Sequence, residues 1–302
     1  MPQPTGPLPP LTLGVCSWSL QVGDVGELSR LLGGLGVSAT QIACGDPHHA
    51  NWSEGDAMPE AALASGLILT GAMLGFPGED YSTPQSIQAT GGFGDPATRA
   101  ERLDRLAWAL DRTVALGLSD LTLHAGFLPE AGDPARPAML DTLARAGQMA
   151  AEKGVTLAFE TGQESALLLR LTLDELKSPH LKVNFDPANM LLYDMGDPIH
   201  AVEILAGDIR SVHVKDARRP TIPGTWGQEV PLGEGEVDIP RFLKTLKAVG
   251  YAGPLAIERE VGDRAARIRD IRLGLDLVRR CLDEPVTPAD GHPGVHNSEK
   301  PR

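Results

Sequence analysis

The chain has 302 residues, and 40 acidic against 27 basic side chains give it a formal charge of -13, which opposes binding to nucleic acid because proteins that neutralise phosphates carry basic stripes. No apolar stretch reaches the roughly 18 residues of a membrane span, and the N-terminus lacks the pattern of a signal peptide. Three sparse cysteines without CxxC spacing indicate a reducing compartment, so we predict a cytoplasmic protein. From the charge and the lack of an apolar span we predict that it binds neither nucleic acid nor membrane.

Two tails flank the periodic part of the chain. Residues 1–10 are rich in proline, and residues 285–302 are polar and rich in proline, so we predict that both are disordered and that 11–284 form one domain. Between the tails, eight short apolar runs predict strands that are buried on both faces. In chain order they are Leu13–Ser17, Ala39–Ala43, Ile68–Leu74, Asp120–His124, Thr156–Glu160, Leu181–Asp186, Ile209–Val214 and Leu255–Glu258.

Helical patterns separate these runs. Arg99–Leu116 and Ile239–Val249 each place their apolar side chains on one stripe, and glycines such as Gly36 and Gly117 end helices just before a strand. Alternating strands and helices over one core predict an α/β protein with a single (β/α)8 TIM barrel. A doubly wound open sheet is the alternative, and the absence of a GxGxxG turn after the first strand weakens it.

Several predicted strands end in side chains that can bind a metal or move a proton. In a parallel barrel all these ends open onto one face. Each residue alone is compatible with a helix cap, a turn or core packing. Together their carboxylates would repel one another and lose hydration, and a divalent cation offsets both costs. A site of three carboxylates and one imidazole chosen from these side chains favours Mn²⁺ first, then Co²⁺, Mg²⁺ or Zn²⁺. The polar residues at the predicted strand ends are His124, Glu160, Asp186, His213, Lys215, Asp216 and Glu258.

Five segments in fixed order carry a family resemblance. They are FETGQE at 159–164, NFDPANMLLY at 184–193, HVKDA at 213–217, PLGEGEVD at 231–238 and IER at 257–259. With these segments the chain resembles the xylose-isomerase-like TIM barrel superfamily, in its sugar phosphate isomerase/epimerase branch. The resemblance covers residues 11–280.

The resemblance implies one divalent metal at the mouth of the barrel. Its ligands would be Glu160, Asp186, His213 and Glu258. The two glutamates would also act as acid and base on opposite sides of a bound sugar. Arg219 stands where the epimerases of the family use an arginine to orient substrate. Position 189 is asparagine where those epimerases have a histidine that touches substrate, so Asn189 leaves the identity of the substrate open.

These residue types suit a carbohydrate isomerase or epimerase. A metal stabilises the enediolate that forms when a carboxylate removes the proton next to a carbonyl, and a second carboxylate returns a proton. We assign these steps to Glu160 and Glu258. Two long loops, 75–98 and 216–236, are predicted to close over the site. Further candidates for contact with substrate are Trp18, which could stack on a sugar, together with His124, Gln163 and Lys215.

Three other functions stay open. A metal-dependent lyase or dehydratase acting on a keto-sugar, an inosose or a 3-keto-glycoside would use the same groups but expel a leaving group. An endonuclease IV-like DNA repair enzyme would need a trinuclear zinc cluster with more histidines than His124 and His213, even with His48 and His49 near the second strand. A non-catalytic binding protein is disfavoured by the intact metal set. Dimers and tetramers are common among such enzymes, so the chain is also a candidate homo-oligomer.

Overall fold

The computed structural model describes residues 11–46 and 49–283, so the two predicted tails and His48 lie outside the described residues. Eight parallel strands close into a barrel in the order β1-β10-β7-β6-β5-β4-β3-β2, which confirms the (β/α)8 fold. The strands β8 and β9 form a separate antiparallel pair. The strands are β1 (Leu13–Cys16), β2 (Ala39–Ala43), β3 (Ile68–Leu74), β4 (Asp120–Leu123), β5 (Thr156–Glu160), β6 (Leu181–Phe185), β7 (Ile209–Val214), β8 (Asp216–Arg218), β9 (Gln228–Val230) and β10 (Leu255–Ile257).

The helices surround the barrel and bury its outer face. Gly36, with φ 71°, ends the first of them, and Gly117, with φ 69°, follows the fourth, as the sequence predicts. Within the described residues, no helix is long and apolar enough to cross a bilayer. The helices are α1 (Val25–Leu35), α2 (Met58–Ala64), α3 (Pro84–Thr90), α4 (Arg99–Ala115), α5 (Arg136–Glu152), α6 (Ala166–Leu176), α7 (Pro187–Leu192), α8 (Pro198–Leu205), α9 (Ile239–Ala248) and α10 (Arg264–Asp283).

The carboxyl ends of the strands show how the fold builds a site. Strands β2, β3, β5 and β7 have the predicted bounds, whereas β1, β4, β6 and β10 each end one residue earlier than predicted. The residue that leaves the ladder is polar in all four cases, because its side chain belongs to the mouth of the barrel. These four residues are Ser17, His124, Asp186 and Glu258.

Two loops meet over the mouth of the barrel. The loop between β3 and α4 contains α3, and the segment after β7 contains the β8–β9 pair. Gln85 Nε2 in the first loop donates a hydrogen bond to the carbonyl oxygen of Gly224 in the second at 3.0 Å. The two predicted loops therefore touch each other above the strand ends.

Candidate active site

The four predicted ligands come together at the carboxyl end of the barrel. Glu160 ends β5, Asp186 follows β6, His213 lies in β7 and Glu258 follows β10. One nitrogen or oxygen from each lies within 4.8 Å of the others. Their exposed fractions run from 0 % to 4 %, so water contributes little to their solvation.

A hydrogen-bonded chain orients the imidazole of His213. Its Nε2 donates to Gln41 Oε1 at 2.5 Å, and Gln41 Nε2 donates in turn to Thr122 Oγ1 at 2.9 Å. With the proton on Nε2, the lone pair of Nδ1 points at the carboxylates, 3.3 Å from Glu160 Oε1 and 3.4 Å from Glu258 Oε2. Burial opposes protonation of this ring, but Cys16, Glu258 and Glu160 together outweigh it and raise the pKa of His213. The same negative field attracts a metal cation.

Glu160 and Asp186 each have one oxygen that accepts hydrogen bonds from the protein and one that accepts none within the described residues. Glu160 Oε1 accepts a hydrogen bond from Asn189 Nδ2 at 2.8 Å. Asp186 Oδ1 caps α7 by accepting from the backbone N–H groups of Ala188 and Asn189 at 2.8 and 2.9 Å. The other oxygens, Glu160 Oε2 and Asp186 Oδ2, are buried and have no hydrogen-bond partner within the described part of the chain.

Glu258 is held on both oxygens. Trp18 Nε1 donates to Oε1 at 2.7 Å, and Lys215 Nζ donates to Oε2 at 2.9 Å. Burial disfavours its ionisation, but Lys215 and His213 outweigh burial and hold the pKa of Glu258 well below its usual range. This carboxylate is therefore fixed in place as an anion.

The remaining carboxylates differ in their tendency to ionise. Burial opposes ionisation of Glu160, but His213 and His124 outweigh it and lower the pKa of Glu160. Burial prevails at Asp186 and raises its pKa to about 6. Buried polar atoms without partners are rare and costly. Glu160 Oε2, Asp186 Oδ2 and His213 Nδ1 are three such atoms in one cluster, so the donor set fits a divalent cation.

A cavity of about 420 Å³ opens above the cluster, large enough for a small molecule. Glu160 and Glu258 lie in its wall. Aromatic side chains also line it, among them Tyr193 and Trp226, whose rings pack edge to face with centroids 4.8 Å apart. The wall of this cavity therefore combines acidic groups with aromatic rings.

The six residues predicted to contact substrate are placed differently. His124, Asn189 and Lys215 line the cavity. Trp18 is buried and reaches the site through its hydrogen bond to Glu258. Gln163 and Arg219 do not line the cavity, and Arg219 is bound by Asp194 Oδ1 at 2.9 Å and the Gly196 carbonyl at 2.6 Å. The substrate roles of all six stay predictions.

Three residues of the site are not among those predicted from the sequence. Gln41 is a polar residue within the fully buried strand β2, and that contrast could have identified it. Glu260 lies two residues beyond Glu258 and accepts from Lys215 Nζ at 2.5 Å. Glu229 lies in β9, inside a segment predicted only as a loop, and no local signal marks it.

The protein is a closed parallel barrel with a candidate metal centre, which consists of three carboxylates and one histidine buried at the carboxyl end of the strands. The family model for the xylose isomerase-like TIM barrel matches residues 30–281. L-ribulose-5-phosphate 3-epimerase UlaE of Escherichia coli K12 is 30% identical over 215 residues, which are 69% of this chain and 71% of that protein. The chain belongs to the xylose isomerase-like TIM barrel family, and the resemblance in the sequence is confirmed.

Solved structures agree with this assignment. A xylose isomerase domain protein from Planctomyces limnophilus superposes with a TM-score of 0.82 at 32% identity, covering 90% of this chain and 98% of that one. A xylose isomerase-like TIM barrel protein from Mycobacterium smegmatis, crystallised in complex with magnesium, gives a TM-score of 0.64 and covers 91% of this chain and 98% of that one. At 14% identity, the second likeness shows the fold alone.

Proposed function

We propose that the chain is a divalent-metal-dependent epimerase or isomerase of carbohydrates. The observation that carries the proposal is the convergence of Glu160, Asp186, His213 and Glu258, whose ligand atoms lie within 4.8 Å of one another. The first three of these residues each carry one buried polar atom without a partner in the described residues. The kinship with UlaE, a protein named for its 3-epimerase activity on L-ribulose 5-phosphate, supports a sugar as the substrate. The cavity above the cluster supplies the space for it.

The metal would be held by the four residues that the sequence predicts. Three carboxylates and one imidazole favour Mn²⁺, with Co²⁺, Mg²⁺ and Zn²⁺ as alternatives. A divalent ion bound there supplies positive charge to substrate oxygens that become negative during the reaction. The ligands are Glu160, Asp186, His213 and Glu258.

Glu160 and Glu258 are suited to proton transfer. They extend from β5 and β10, which are separated in the barrel by β6 and β7, so they approach a bound sugar from different sides. Burial is outweighed by neighbouring positive groups, which lower the pKa of both, so both are ionised at neutral pH and either can act as a base. Asn189 holds the first, while Trp18 and Lys215 hold the second.

The reaction begins when one carboxylate removes the proton from the carbon next to the carbonyl of the sugar. The C–H electron pair forms the C=C bond of an enediolate, and the carbonyl oxygen takes the negative charge. The second carboxylate passes a proton from water to the opposite face of the same carbon, the first carboxylate releases its proton to water, and the product is an epimer. Return of a proton to the former carbonyl carbon, with the hydroxyl proton of the neighbouring carbon moving to the former carbonyl oxygen, gives the aldose–ketose isomer.

Deuterium incorporation tests this proposal. We expect Mn²⁺-loaded protein in D₂O to place deuterium next to the carbonyl of a ketose and to form an epimer or isomer, detected by NMR. Glu160→Gln and Glu258→Gln should each slow the exchange about 10²- to 10⁴-fold, the usual contribution of a general acid or base. Glu164→Gln is the matched control, because Glu164 is equally buried but lies outside the cluster.

The same experiment separates the alternative chemistry. A lyase or dehydratase would release water or an aglycone, and this product would replace the epimerase proposal with elimination. Absence of both exchange and elimination over a panel of ketoses, inososes and keto-glycosides, with Mn²⁺ bound, would overturn the proposal.

A further inference from the structure

We infer that this site takes a carbohydrate without a phosphate group and discriminates against the phosphorylated form. The inference rests on the proposed function and names its substrate class. Barrels of this kind bind phosphate with loops that follow the last strands and with the N-termini of helices, whose backbone N–H groups point at the anion. In the described part of the mouth, the chain's own carboxylates already occupy such donors.

The loop after β7 contains the clearest case. The carboxylate of Asp216, which is 1 % exposed, accepts hydrogen bonds from the backbone N–H groups of Gly233, Gly235 and Val237 at 2.9, 3.0 and 3.2 Å. A Cβ atom on Gly235 would lie 2.1 Å from Asp216 Oδ1, so only glycine lets the backbone close around this carboxylate. Converging N–H groups form an anion-binding nest, and Asp216 is the anion in it.

The loops after β2 and β3 repeat this arrangement. Asp46 Oδ2 accepts from the backbone N–H of Gly75 at 3.1 Å. Glu79 accepts from the backbone N–H groups of Phe76 at 3.1 Å and of Gly92 at 2.8 Å. The N-terminus of α7 is capped by Asp186, one of the predicted metal ligands. These backbone donors therefore bind internal carboxylates rather than a ligand.

The positively charged side chains are also occupied. Lys215 donates to Glu258 Oε2 at 2.9 Å and to Glu260 Oε2 at 2.5 Å. Arg259 is bound by Glu229 Oε1 at 2.5 Å. Arg219, which is predicted to orient substrate, is bound by Asp194 and by the Gly196 carbonyl in the loop between α7 and α8. Within the described residues, no arginine lines the cavity.

Negative charge around the cavity disfavours binding of a phosphate group. Four glutamates and one lysine line it, and Asp186 belongs to the metal cluster beside it. Burial opposes protonation of the lining residue His49, but Asp46 outweighs it and raises the pKa of His49 to about 9, and the two side chains pair at 2.9 Å. Carboxylates thus stay in excess over positive groups even with a divalent ion bound.

Two side chains of the cavity wall carry polar atoms that are suited to hydroxyl groups. Trp226 Nε1 and His124 Nδ1 are buried and have no hydrogen-bond partner within the described residues, and both side chains line the cavity. An indole N–H donates to a hydroxyl oxygen, and an imidazole nitrogen can bond to either end of a hydroxyl. Neutral donors beside aromatic faces fit an uncharged sugar.

Matched pairs of ketoses test the inference. L-ribulose with L-ribulose 5-phosphate, and D-fructose with D-fructose 6-phosphate, are compared on Mn²⁺-saturated protein by deuterium exchange and by calorimetric binding. We expect at least a roughly tenfold preference for the free sugar in both measurements. Repulsion between one phosphate group and the carboxylates of a partly desolvated cavity lowers affinity by about that factor. Added salt should reduce the preference.

A charge variant locates the source of the preference. Glu260→Gln removes one carboxylate and releases Lys215 from one of its partners. We expect this variant to reduce the preference for free sugars roughly three- to tenfold. Glu203→Gln, an equal change of charge on the exposed surface of α8, should leave the preference unchanged.

The outcomes separate the inference from the proposed function. Preferred binding and exchange of phosphorylated ketoses would overturn the inference while supporting the proposed function. An unchanged preference in Glu260→Gln would overturn the electrostatic origin of the discrimination. A lack of exchange with every free and phosphorylated ketose would overturn the proposed function, and the inference with it.

Discussion

Two neighbouring groups of charged side chains at the mouth of the barrel differ in how their buried charges are compensated. The inner cluster leaves three polar atoms without a partner in the described residues. In the outer network each charge meets an opposite one, with 2.5 Å between Lys215 Nζ and Glu260 Oε2 and 2.5 Å between Arg259 Nη1 and Glu229 Oε1. The inner cluster is Glu160, Asp186, His213 and Glu258, and the outer network is Lys215, Glu229, Arg259 and Glu260.

The contrast separates a ligand site from its support. Unpaired charge in a low-dielectric interior is costly, and within the described residues Glu160 and Asp186 each keep an oxygen without a partner, so the inner cluster is arranged for an added positive group. The outer network already has its own counter-charges. Lys215 joins the two, because it also donates to Glu258 at 2.9 Å. Changes on the two sides should therefore alter different quantities, metal affinity on the inside and folding stability on the outside.

The largest effect should come from Lys215→Met. The variant leaves Glu258 without its nearest cation in a buried position, and loss of one partner of a buried pair costs about 3–5 kcal/mol. We expect the free energy of unfolding, measured in urea, to fall by that amount. The affinity for Mn²⁺, measured by calorimetry, should stay or rise, because the negative field around the cluster grows.

A surface lysine provides the control for this variant. Lys153 pairs with Asp111 where both side chains are well exposed, and such pairs contribute about 1 kcal/mol or less. Lys153→Met should therefore change stability little. An equal loss in both variants would contradict the division between a supporting network and a ligand site.

Glu164 is a third case, because it is buried like the inner cluster but has no charged neighbour that changes its pKa. Burial alone raises the pKa of Glu164 to about 8. Between about pH 4.5 and pH 8 the unfolded chain has released this proton while the folded chain retains it, so stability falls as the pH rises, by about 1.4 kcal/mol per unit. Glutamine does not titrate, so Glu164→Gln should be about 3 kcal/mol more stable than the wild type near pH 7.

Urea unfolding at pH 5 and pH 8 measures this difference. We expect the two proteins to be nearly equal at pH 5 and to diverge at pH 8. The exposed Glu203→Gln should keep the slope of the wild type. A wild-type stability that rises between these pH values faster than that of Glu164→Gln would contradict a buried, protonated Glu164.

The sequence predicts the barrel and the inner cluster because both depend on local patterns. Short apolar runs predict the strands, and polar residues such as His124 and Asp186 mark where strands end. In a parallel barrel, strand ends share one face whatever their separation in sequence. The strand ends alone indicate seven candidate residues, and the family resemblance selects the four predicted ligands among them.

The outer network could not be predicted in this way. The β8–β9 pair forms where Asp216 binds N–H groups from Gly233 and Gly235, nearly twenty residues further along the chain. Glu229 reaches Arg259 only through this pair. Contacts of this kind depend on the tertiary structure, and no periodicity in the sequence encodes them.

Asp186→Asn tests the inner cluster with its helix cap preserved. Asparagine caps helices about as well as aspartate, so α7 should keep its N-terminus. The variant removes one negative ligand and relieves repulsion, so without metal it should be at least as stable as the wild type. At a Mn²⁺ concentration 100 times its dissociation constant the wild type should gain about 2.7 kcal/mol, and the variant should gain almost none. Equal stabilisation of both proteins by Mn²⁺ would remove Asp186 from the ligand set.

The smallest effect should come from Gln41→Leu, which changes a residue that touches the cluster through the imidazole alone. Gln41 Oε1 accepts the proton of His213 Nε2 and thereby leaves the lone pair of Nδ1 facing the carboxylates. Loss of a partner that orients a metal-binding histidine typically lowers metal affinity 10- to 100-fold, whereas loss of one hydrogen bond changes stability by about 1 kcal/mol. Calorimetry with Mn²⁺ and urea unfolding should show this pattern, the reverse of that expected for Lys215→Met. Thr122→Val, which removes only the far end of the hydrogen-bonded chain, should weaken Mn²⁺ binding less than Gln41→Leu does. If Gln41→Leu instead lost stability while it bound Mn²⁺ as tightly as the wild type, Gln41 would belong with the supporting residues, and the orientation of His213 would not depend on it.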